Sequence, residues 1–374
     1  MTIGFDARLI SSLGIGRYIS GLLPQLAVLL NDRLLVISRP EELALVRALT
    51  AGRGRLIVSD AAPYRLAEQT VFLATLLRQR PALMHFPHYN LPLGYPGRFV
   101  VTIHDLFSFR FPEIHSGPVP RVTNQLLIRN AARRAAAIIT PSQSTAEEVI
   151  RRFPHAAGRV EAIGEAAGGR FTPVRNHQAE ATWQRYFDIR PPYFLYLGQW
   201  KAYKNVPLLL RAFAQVVGQQ PAVQLVIAGH DARQPEVQEA AARLPNGSVV
   251  LPGHLPEDAV ADIYRAAAAL VLPSRAEGFG LPVLEAMACG VPVVCSDIPP
   301  LREMAADVAI FCHPDDVQAL AAAMLTALDG PNVERVQRGI ERASRFSWRK
   351  AAEETVGVYE RALAGRRRTR SETD

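Results

Sequence analysis

Lysine is almost absent from this 374-residue chain. Of its 42 basic residues 39 are arginine, and the three lysines are Lys201, Lys204 and Lys350. Two of the three fall within the short segment KAYKN (201–205). A chain that otherwise uses arginine either needs a compact ammonium group at this segment or places the two lysines there by chance.

Cysteine is also scarce, with Cys289, Cys295 and Cys312 and no C-x-x-C pair. An odd number of cysteines on apolar segments argues against a disulfide framework and predicts reduced, buried thiols in a cytoplasmic protein. No secretory signal is visible before the strand-like TIGFDA (2–7), and the longest apolar runs, such as LLPQLAVLL (22–30), fall short of the roughly 20 residues that span a bilayer. We therefore expect any membrane contact to be peripheral.

The net charge of +7 is unevenly distributed along the chain. Residues 1–172 carry 20 arginines and 12 acidic residues, whereas residues 173–374 carry 22 basic and 23 acidic residues. A basic first half favours an anionic partner, such as a phosphorylated acceptor, an anionic membrane surface or nucleic acid. A solvated arginine-rich surface explains the same excess, and we expect no nucleic-acid partner.

Short β-branched runs alternate with longer amphipathic runs along both halves, which predicts an α/β fold with parallel sheets. The glycine-rich segment GEAAGGRFTPVRN (164–176) fits neither period and predicts an interdomain linker. We therefore expect two Rossmann-like domains, 1–170 and 171–350, that face across a cleft. A final helix, 350–364, would complete the first domain, and residues 365–374 would form a basic tail.

Four helices are predicted in the first half, and Ser144 before Glu147 suggests a capping box for the last of them. The predicted helices are Arg17–Leu30, Tyr64–Arg80, Val119–Arg134 and Ser144–Phe153.

Two motifs of the first half follow predicted strands. In SSLGIGRY (11–18), Gly14 and Gly16 leave room for backbone amides to meet a ligand at a helix N-terminus, although a simple turn explains them as well. Because position 19 is isoleucine, this segment is not the G-x-G-x-x-G dinucleotide fingerprint. In TIHDL (102–106), His104 and Asp105 end a strand, where open sheets bind ligands, and a buried core histidine is an equally good interpretation.

The lysine-containing segment YLGQWKAYKN (196–205) predicts an anion site. A strand ends near Gly198, and Asn205 is placed to cap a helix whose first turn contains Pro207. Lys204 would then lie beside the positive end of that helix, an arrangement suited to phosphate. A solvated lysine is the alternative.

The segment EGFGLPVLEAMACGVPVV (277–294) is the most specific motif in the chain. Glu277 and Glu285 have the spacing E-x7-E around Gly278 and Gly280, and Pro282 predicts that a helix begins there. Carboxylates bind vicinal hydroxyls and loop amides bind anions, so a sugar nucleotide satisfies both. Two solvated acids are the alternative interpretation.

Taken together, these motifs resemble the retaining glycosyltransferases of family 4, which have the GT-B fold. The resemblance covers essentially the whole chain and rests on GIGRY (14–18), HDL (104–106), RFTP (170–173), the lysine-containing segment and the E-x7-E segment. EQ (68–69), HYN (88–90) and TIHDL are further similar to bacterial polysaccharide mannosyltransferases.

The resemblance implies a role for each matching residue. Lys204 would bind the donor diphosphate, Glu277 the hydroxyls of the transferred sugar, and His104 the donor sugar from the first domain, so these three are the candidate catalytic residues. Glu285 would hold the ribose hydroxyls. The further donor-binding candidates are Gly14, Gly16, Asp105, Lys201, Gly278, Phe279, Gly280 and Leu281.

In one respect the sequence departs from the family pattern. Many members carry an arginine where this chain has Gln199 or Tyr203. Lys201 or another arginine would have to replace that charge.

The implied reaction is transfer of a hexose from a nucleoside-diphosphate sugar, with retention, to a glycan or lipid-linked acceptor. The branch resemblance favours GDP-mannose as donor. The sequence has no D-x-D triplet, and Lys204 with loop amides could stabilise the leaving diphosphate, so we expect no metal and no cofactor. Three alternatives remain: an NAD-dependent oxidoreductase, against which the missing glycine fingerprint counts, a basic non-catalytic binding protein, and a phosphorylase or epimerase of the same fold.

Overall fold

The computed structural model describes residues 1–114, 117–229, 235–330 and 332–371, the last seven of these by their backbone alone. The chain forms two compact units. Unit 1 comprises Met1–Glu165 with the C-terminal segment from Ser347, and unit 2 comprises Ala166–Phe346. The first boundary falls inside the predicted linker 164–176, five residues before the predicted end of the first domain.

Unit 1 contains a seven-stranded parallel sheet in the order β3-β2-β1-β4-β5-β6-β7. Its strands are β1 Ile3–Asp6, β2 Leu34–Ser38, β3 Arg55–Val58, β4 Leu83–Phe86, β5 Phe99–Thr102, β6 Ala137–Thr140 and β7 Val160–Ala162. The order reverses between β1 and β4, so the carboxyl ends of β1, β4 and β5 flank the switch point at which such sheets bind ligands.

Helices connect most of these strands, β4 and β5 being joined by a loop, and the C-terminal helix belongs to the same unit. They are α1 Leu13–Leu30, α2 Leu43–Thr50, α3 Leu73–Gln79, α4 Phe107–Arg110, α5 Pro118–Arg134, α6 Gln143–Arg152 and α15 Trp348–Ser371. Helix α15 packs against α1, and its Val358 and Tyr359 are part of the apolar core beneath the sheet. The predicted basic tail therefore begins within α15, and residues 372–374 lie outside the described residues.

Unit 2 repeats the design with a six-stranded parallel sheet in the order β10-β9-β8-β11-β12-β13. Its strands are β8 Tyr193–Leu197, β9 Gln224–Ala228, β10 Val249–Gly253, β11 Ala269–Leu272, β12 Val293–Ser296 and β13 Ile310–Cys312. The switch point lies between β8 and β11. Its helices are α7 His177–Tyr186, α8 Val206–Gln219, α9 Pro235–Ala242, α10 Glu257–Ala266, α11 Leu281–Ala288, α12 Pro299–Ala305, α13 Val317–Leu328 and α14 Val333–Ser344.

Two local predictions were wrong and one was confirmed. Helix α1 begins at Leu13, four residues before the predicted start, because Gly16 already donates its amide hydrogen to the Ser12 carbonyl (2.8 Å). Helix α6 is capped by Ser142, whose Oγ accepts the Thr145 amide hydrogen (3.1 Å), and not by Ser144. The helix predicted over 64–80 is confirmed over residues 66–79, and its middle part, Glu68–Phe72, is a π-helical turn that leads into α3.

Helix α1 is long and apolar enough to cross a membrane by length and composition alone. Its buried residues nevertheless pack in the core of unit 1, where Leu22, Leu23 and Leu26 are fully covered. The three cysteines are free and buried in unit 2, and burial is the main cause that raises the pKa of Cys289 to about 12 and of Cys312 to about 11.

Candidate active site

Lys204 and Glu277 meet at the switch point of unit 2. Lys204 ends a short 3₁₀ turn after β8, and Glu277 lies in the loop after β11. The Lys204 Nζ donates to both carboxylate oxygens of Glu277, at 2.7 and 2.8 Å, and the side chains are only 15% and 7% exposed. This bidentate, poorly solvated pair places an ammonium and a carboxylate where the parallel sheet presents its ligand residues.

The side chain of Asn205 binds different groups from those predicted. Its side chain does not cap α8; its Nδ2 donates to the carbonyl oxygens of Pro273 (3.3 Å) and Pro314 (2.6 Å). The backbone of Asn205 is left-handed, with φ of 60°. Asn205 therefore ties the end of the lysine-containing segment to the loops that follow β11 and β13.

The glycine-rich loop of unit 2 leads directly into α11. Gly280 is the N-cap residue with φ of 99°, and a Cβ there would lie 2.5 Å from Leu301 Cδ2, so only glycine fits. Phe279 is buried with its ring edge-on to Phe346 (centroids 5.7 Å apart), whereas Gly278 and Leu281 are half-buried. The loop thus presents backbone rather than apolar side chains at the start of the helix.

Glu285 lies deeper than the sequence suggested. It is 2% exposed on α11, and its Oε2 accepts the Tyr264 hydroxyl of α10 at 3.1 Å. Its role as a ribose ligand stays a prediction, and a ligand would have to reach a carboxylate already bound by Tyr264.

Lys201 and Arg275 are the cations that lie near the positions of the expected arginine. Lys201 is half-buried at the start of the 3₁₀ turn, and its carbonyl accepts the Lys204 amide hydrogen (2.8 Å). Arg275 donates its backbone amide hydrogen to the Tyr203 carbonyl (2.7 Å), and its Nε pairs with Asp315 at 2.7 Å. The sequence analysis did not single out Arg275, although it lies only two residues before the E-x7-E segment.

In unit 1, His104 follows β5 and is held between two acceptors. Its Nδ1 lies 3.1 Å from Glu165 Oε1, and its Nε2 lies 2.9 Å from the Pro87 carbonyl oxygen. Tyr18 packs edge-on against the ring, with centroids 4.9 Å apart. Asp105 is half-buried, and its Oδ1 accepts the Phe107 amide hydrogen (3.0 Å), which helps to begin α4.

Gly14 and Gly16 lie in the first turns of α1 rather than in a loop. A Cβ on Gly16 would lie 2.1 Å from the Ile10 carbonyl oxygen, and its amide hydrogen is already bonded within the helix. Gly16 therefore allows close packing of the first turn against the preceding chain, and its role in donor binding stays a prediction. Gly14 is exposed, and a Cβ there would have no atom within 4 Å.

A buried polar network joins the ends of the neighbouring strands in unit 1. Arg8 is fully buried and bonds both Asp6 (2.8 Å) and Glu68 (2.8 Å). Glu68 Oε1 accepts a hydrogen bond from Asn90 Nδ2 (3.1 Å). The Oδ1 of the same asparagine lies 2.9 Å from His88 Nδ1. Burial raises the pKa of Glu68 against the opposing effect of Arg8. The EQ and HYN segments, which only suggested a branch of the family, thus meet in space.

Two further histidines near His104 are neutral at physiological pH. Burial, with the nearby charge of His104, lowers the pKa of His85 and of His88 to about 3. His85 links α15 to the sheet, because its Nδ1 lies 2.6 Å from the Tyr359 hydroxyl and its Nε2 lies 2.9 Å from Thr102 Oγ1. Across the described residues, no group of three or more His, Cys, Asp and Glu side chains is placed to hold a metal ion.

Comparison with known proteins gives two family models that together span most of the chain. The model described as glycosyl transferases group 1 matches residues 178–346, and the model described as glycosyltransferase family 4 matches residues 14–165. One similar relative is the O-antigen chain mannosyltransferase B of Escherichia coli, 30% identical over 302 residues, which cover 79% of this chain and 78% of that protein.

Solved structures that are similar to this chain over both of its units include a sucrose-phosphate synthase of Thermosynechococcus elongatus. It has a TM-score of 0.77 at 22% identity, over 98% of this chain and 100% of that chain. HepE of Anabaena in complex with UDP-glucose has a TM-score of 0.76 at 19% identity, over 96% of this chain and 99% of that chain. At these identities the likeness establishes the fold, two parallel-sheet α/β domains of the GT-B type.

Proposed function

This chain belongs to the family 4 glycosyltransferases, and from that membership we propose that it transfers mannose, with retention, from GDP-mannose to a glycan or lipid-linked acceptor. The Lys204–Glu277 pair carries the proposal, because it combines the two groups that a diphosphate sugar requires. The mannosyltransferase of Escherichia coli supports the choice of sugar.

In the proposed mechanism the donor opens the Lys204–Glu277 pair. The ammonium transfers its hydrogen bonds to diphosphate oxygens, and the released Glu277 carboxylate accepts hydroxyls of the transferred sugar. Amides at the start of α11 add positive charge at the departing diphosphate. Lys201 or Arg275 would supply the second cation of the diphosphate site.

We attribute retention of the anomeric configuration to a front-face reaction. The bond between sugar C1 and the diphosphate oxygen breaks, and a bond between C1 and the acceptor oxygen forms on the same face. The acceptor hydroxyl proton passes to the departing diphosphate. Because Lys204 and backbone amides provide the charge stabilisation, we propose that transfer needs no metal ion and no cofactor.

A donor screen tests this function. Release of nucleoside diphosphate is measured with GDP-mannose, UDP-glucose and further nucleotide sugars, each with EDTA or with added Mg²⁺. We expect turnover with GDP-mannose that EDTA leaves unchanged. Turnover with UDP-glucose alone would refute mannose transfer and favour a glucosyltransferase, the alternative suggested by the UDP-glucose complex of HepE. Loss of activity in EDTA that Mg²⁺ restores would refute metal independence.

A further inference from the structure

Glu165 is a buried carboxylate that neither the sequence motifs nor the proposed mechanism uses. It is 5% exposed, is the last residue of unit 1, and has its Oε1 3.1 Å from His104 Nδ1. The opposite ring nitrogen, Nε2, lies 2.9 Å from the Pro87 carbonyl oxygen. The ring is thus fixed at both nitrogens by groups of the protein.

Both partners of the ring are hydrogen-bond acceptors. A carbonyl oxygen only accepts, and an ionised carboxylate only accepts, so each requires an N–H on the ring. A neutral imidazole carries one N–H and would leave one of these two contacts without a proton. The arrangement therefore selects the doubly protonated imidazolium, which has no free nitrogen with which to accept a proton from a substrate.

The groups around His104 agree with this protonation state. Burial lowers the pKa of His104, but the hydrogen bond and charge of Glu165, together with smaller contributions from Pro87 and Asp105, outweigh burial and raise the pKa above its usual 6.5. His85 and His88 are neutral with pKa values of about 3. The remaining titratable neighbour, Tyr18, is also neutral because burial raises its pKa.

We propose that Glu165 is a positioning residue that, with the Pro87 carbonyl, holds His104 as a fixed cation, so that His104 contributes positive charge to transfer and not a proton-transfer step. The inference rests on the proposed function and on the role that the family resemblance implies for His104, contact with the donor sugar.

The test compares Glu165→Gln with a matched control, Glu161→Gln. Glutamine keeps the size of the side chain and removes its charge, while Glu161, four residues earlier on β7, pairs with Arg361. The ring nitrogens of His104 are followed by ¹⁵N NMR across pH 5–9 in the full chain, with His104→Asn used to assign the signal. The pH profile of kcat/KM with the active donor is measured in parallel.

We expect His104 in the native protein and in Glu161→Gln to stay doubly protonated above pH 6.5. In Glu165→Gln it should lose a proton at lower pH, because burial then dominates. Relative to the native enzyme, kcat/KM of Glu165→Gln should fall by up to about tenfold for each pH unit above the new pKa, until the native ring also loses its proton.

Three results would overturn the proposal. A native His104 that is singly protonated at pH 6, or an unchanged titration in Glu165→Gln, would show that the pair does not set the charge. A shifted titration with an unchanged pH profile would show that the charge of His104 does not serve the reaction. The NMR titration needs no substrate. It therefore shows whether Glu165 keeps His104 doubly protonated even if the donor screen disproves the proposed function.

Discussion

At the residue scale, the Lys204–Glu277 contact explains how a nearly lysine-free chain uses one of its three lysines. Lysine offers a compact charge with three rotatable donors, so the same Nζ can bind the Glu277 carboxylate or a phosphate. The guanidinium of arginine is a rigid planar fork, which changes less easily from one hydrogen-bond acceptor to another. In the proposed mechanism, the ion pair keeps both groups in position until a donor competes for the lysine.

The variant Glu277→Gln tests this competition. Removing the carboxylate frees Lys204 for phosphate, so binding of GDP alone should become tighter, while kcat for sugar transfer should fall by about 10²-fold because a transition-state contact is lost. Binding is measured by calorimetry and kcat by diphosphate release. Weaker GDP binding together with a normal kcat would contradict both halves of the prediction.

At the element scale, the sequence predicted an α/β fold with parallel sheets in both halves, because short β-branched runs that alternate with amphipathic runs carry a local signal. Helix starts were harder to predict. Gly14 and Gly16 suggest a loop, yet α1 runs through both, because Gly16 lets the first turn approach the Ile10 carbonyl. That close contact depends on the chain before the helix, which a local pattern does not reveal.

These two glycines provide a matched pair of variants. Gly16→Ala should lower the free energy of unfolding by about 1–3 kcal/mol, since its Cβ would lie 2.1 Å from a backbone oxygen. Gly14→Ala should be neutral or stabilise by up to about 1 kcal/mol, since alanine is the better helix former and the site is open. Urea unfolding followed by circular dichroism measures both, and equal effects would refute the packing role of Gly16.

The candidate site shows the same division between local and long-range information. The sequence singled out Lys204, Glu277 and His104 as candidates because each lies in a motif near the end of a predicted strand. It missed Glu165, Arg8 and the meeting of Glu68 with Asn90, because these contacts join segments 22 to 61 residues apart. Buried polar residues near strand ends were the available signal, and only the tertiary structure shows which of them meet.

At the scale of the whole molecule, the basic excess belongs to the half of the chain that forms most of unit 1. Exposed apolar side chains accompany it on two helical segments. Val71 and Leu77 lie near Arg78, and Val122 and Leu126 lie on α5. This combination suits a surface of anionic lipid. We therefore propose a cytoplasmic enzyme that associates peripherally with the membrane holding a lipid-linked acceptor.

Vesicle flotation tests that proposal. The native chain should float with vesicles containing anionic phosphatidylglycerol and not with neutral phosphatidylcholine vesicles, and added salt should reduce binding. Leu77→Glu and Val122→Glu should weaken flotation severalfold. Val333→Glu is the control, because Val333 is an exposed apolar residue of unit 2, with a relative exposure of 77% against 45% for Leu77 and 51% for Val122. Equal binding to both vesicle types would exclude an anionic surface as the partner.

The central claim is that Lys204 binds the donor diphosphate, and the chain contains its own control. Lys350 is 64% exposed on α15 and pairs only loosely with Glu354, at 3.9 Å. Calorimetric titration of GDP into the native chain, Lys204→Ala and Lys350→Ala compares the two lysines directly. We predict that Lys204→Ala raises the Kd by at least about tenfold, the loss of one charge-assisted contact, while Lys350→Ala leaves it unchanged. Equal Kd values in all three proteins would contradict the account.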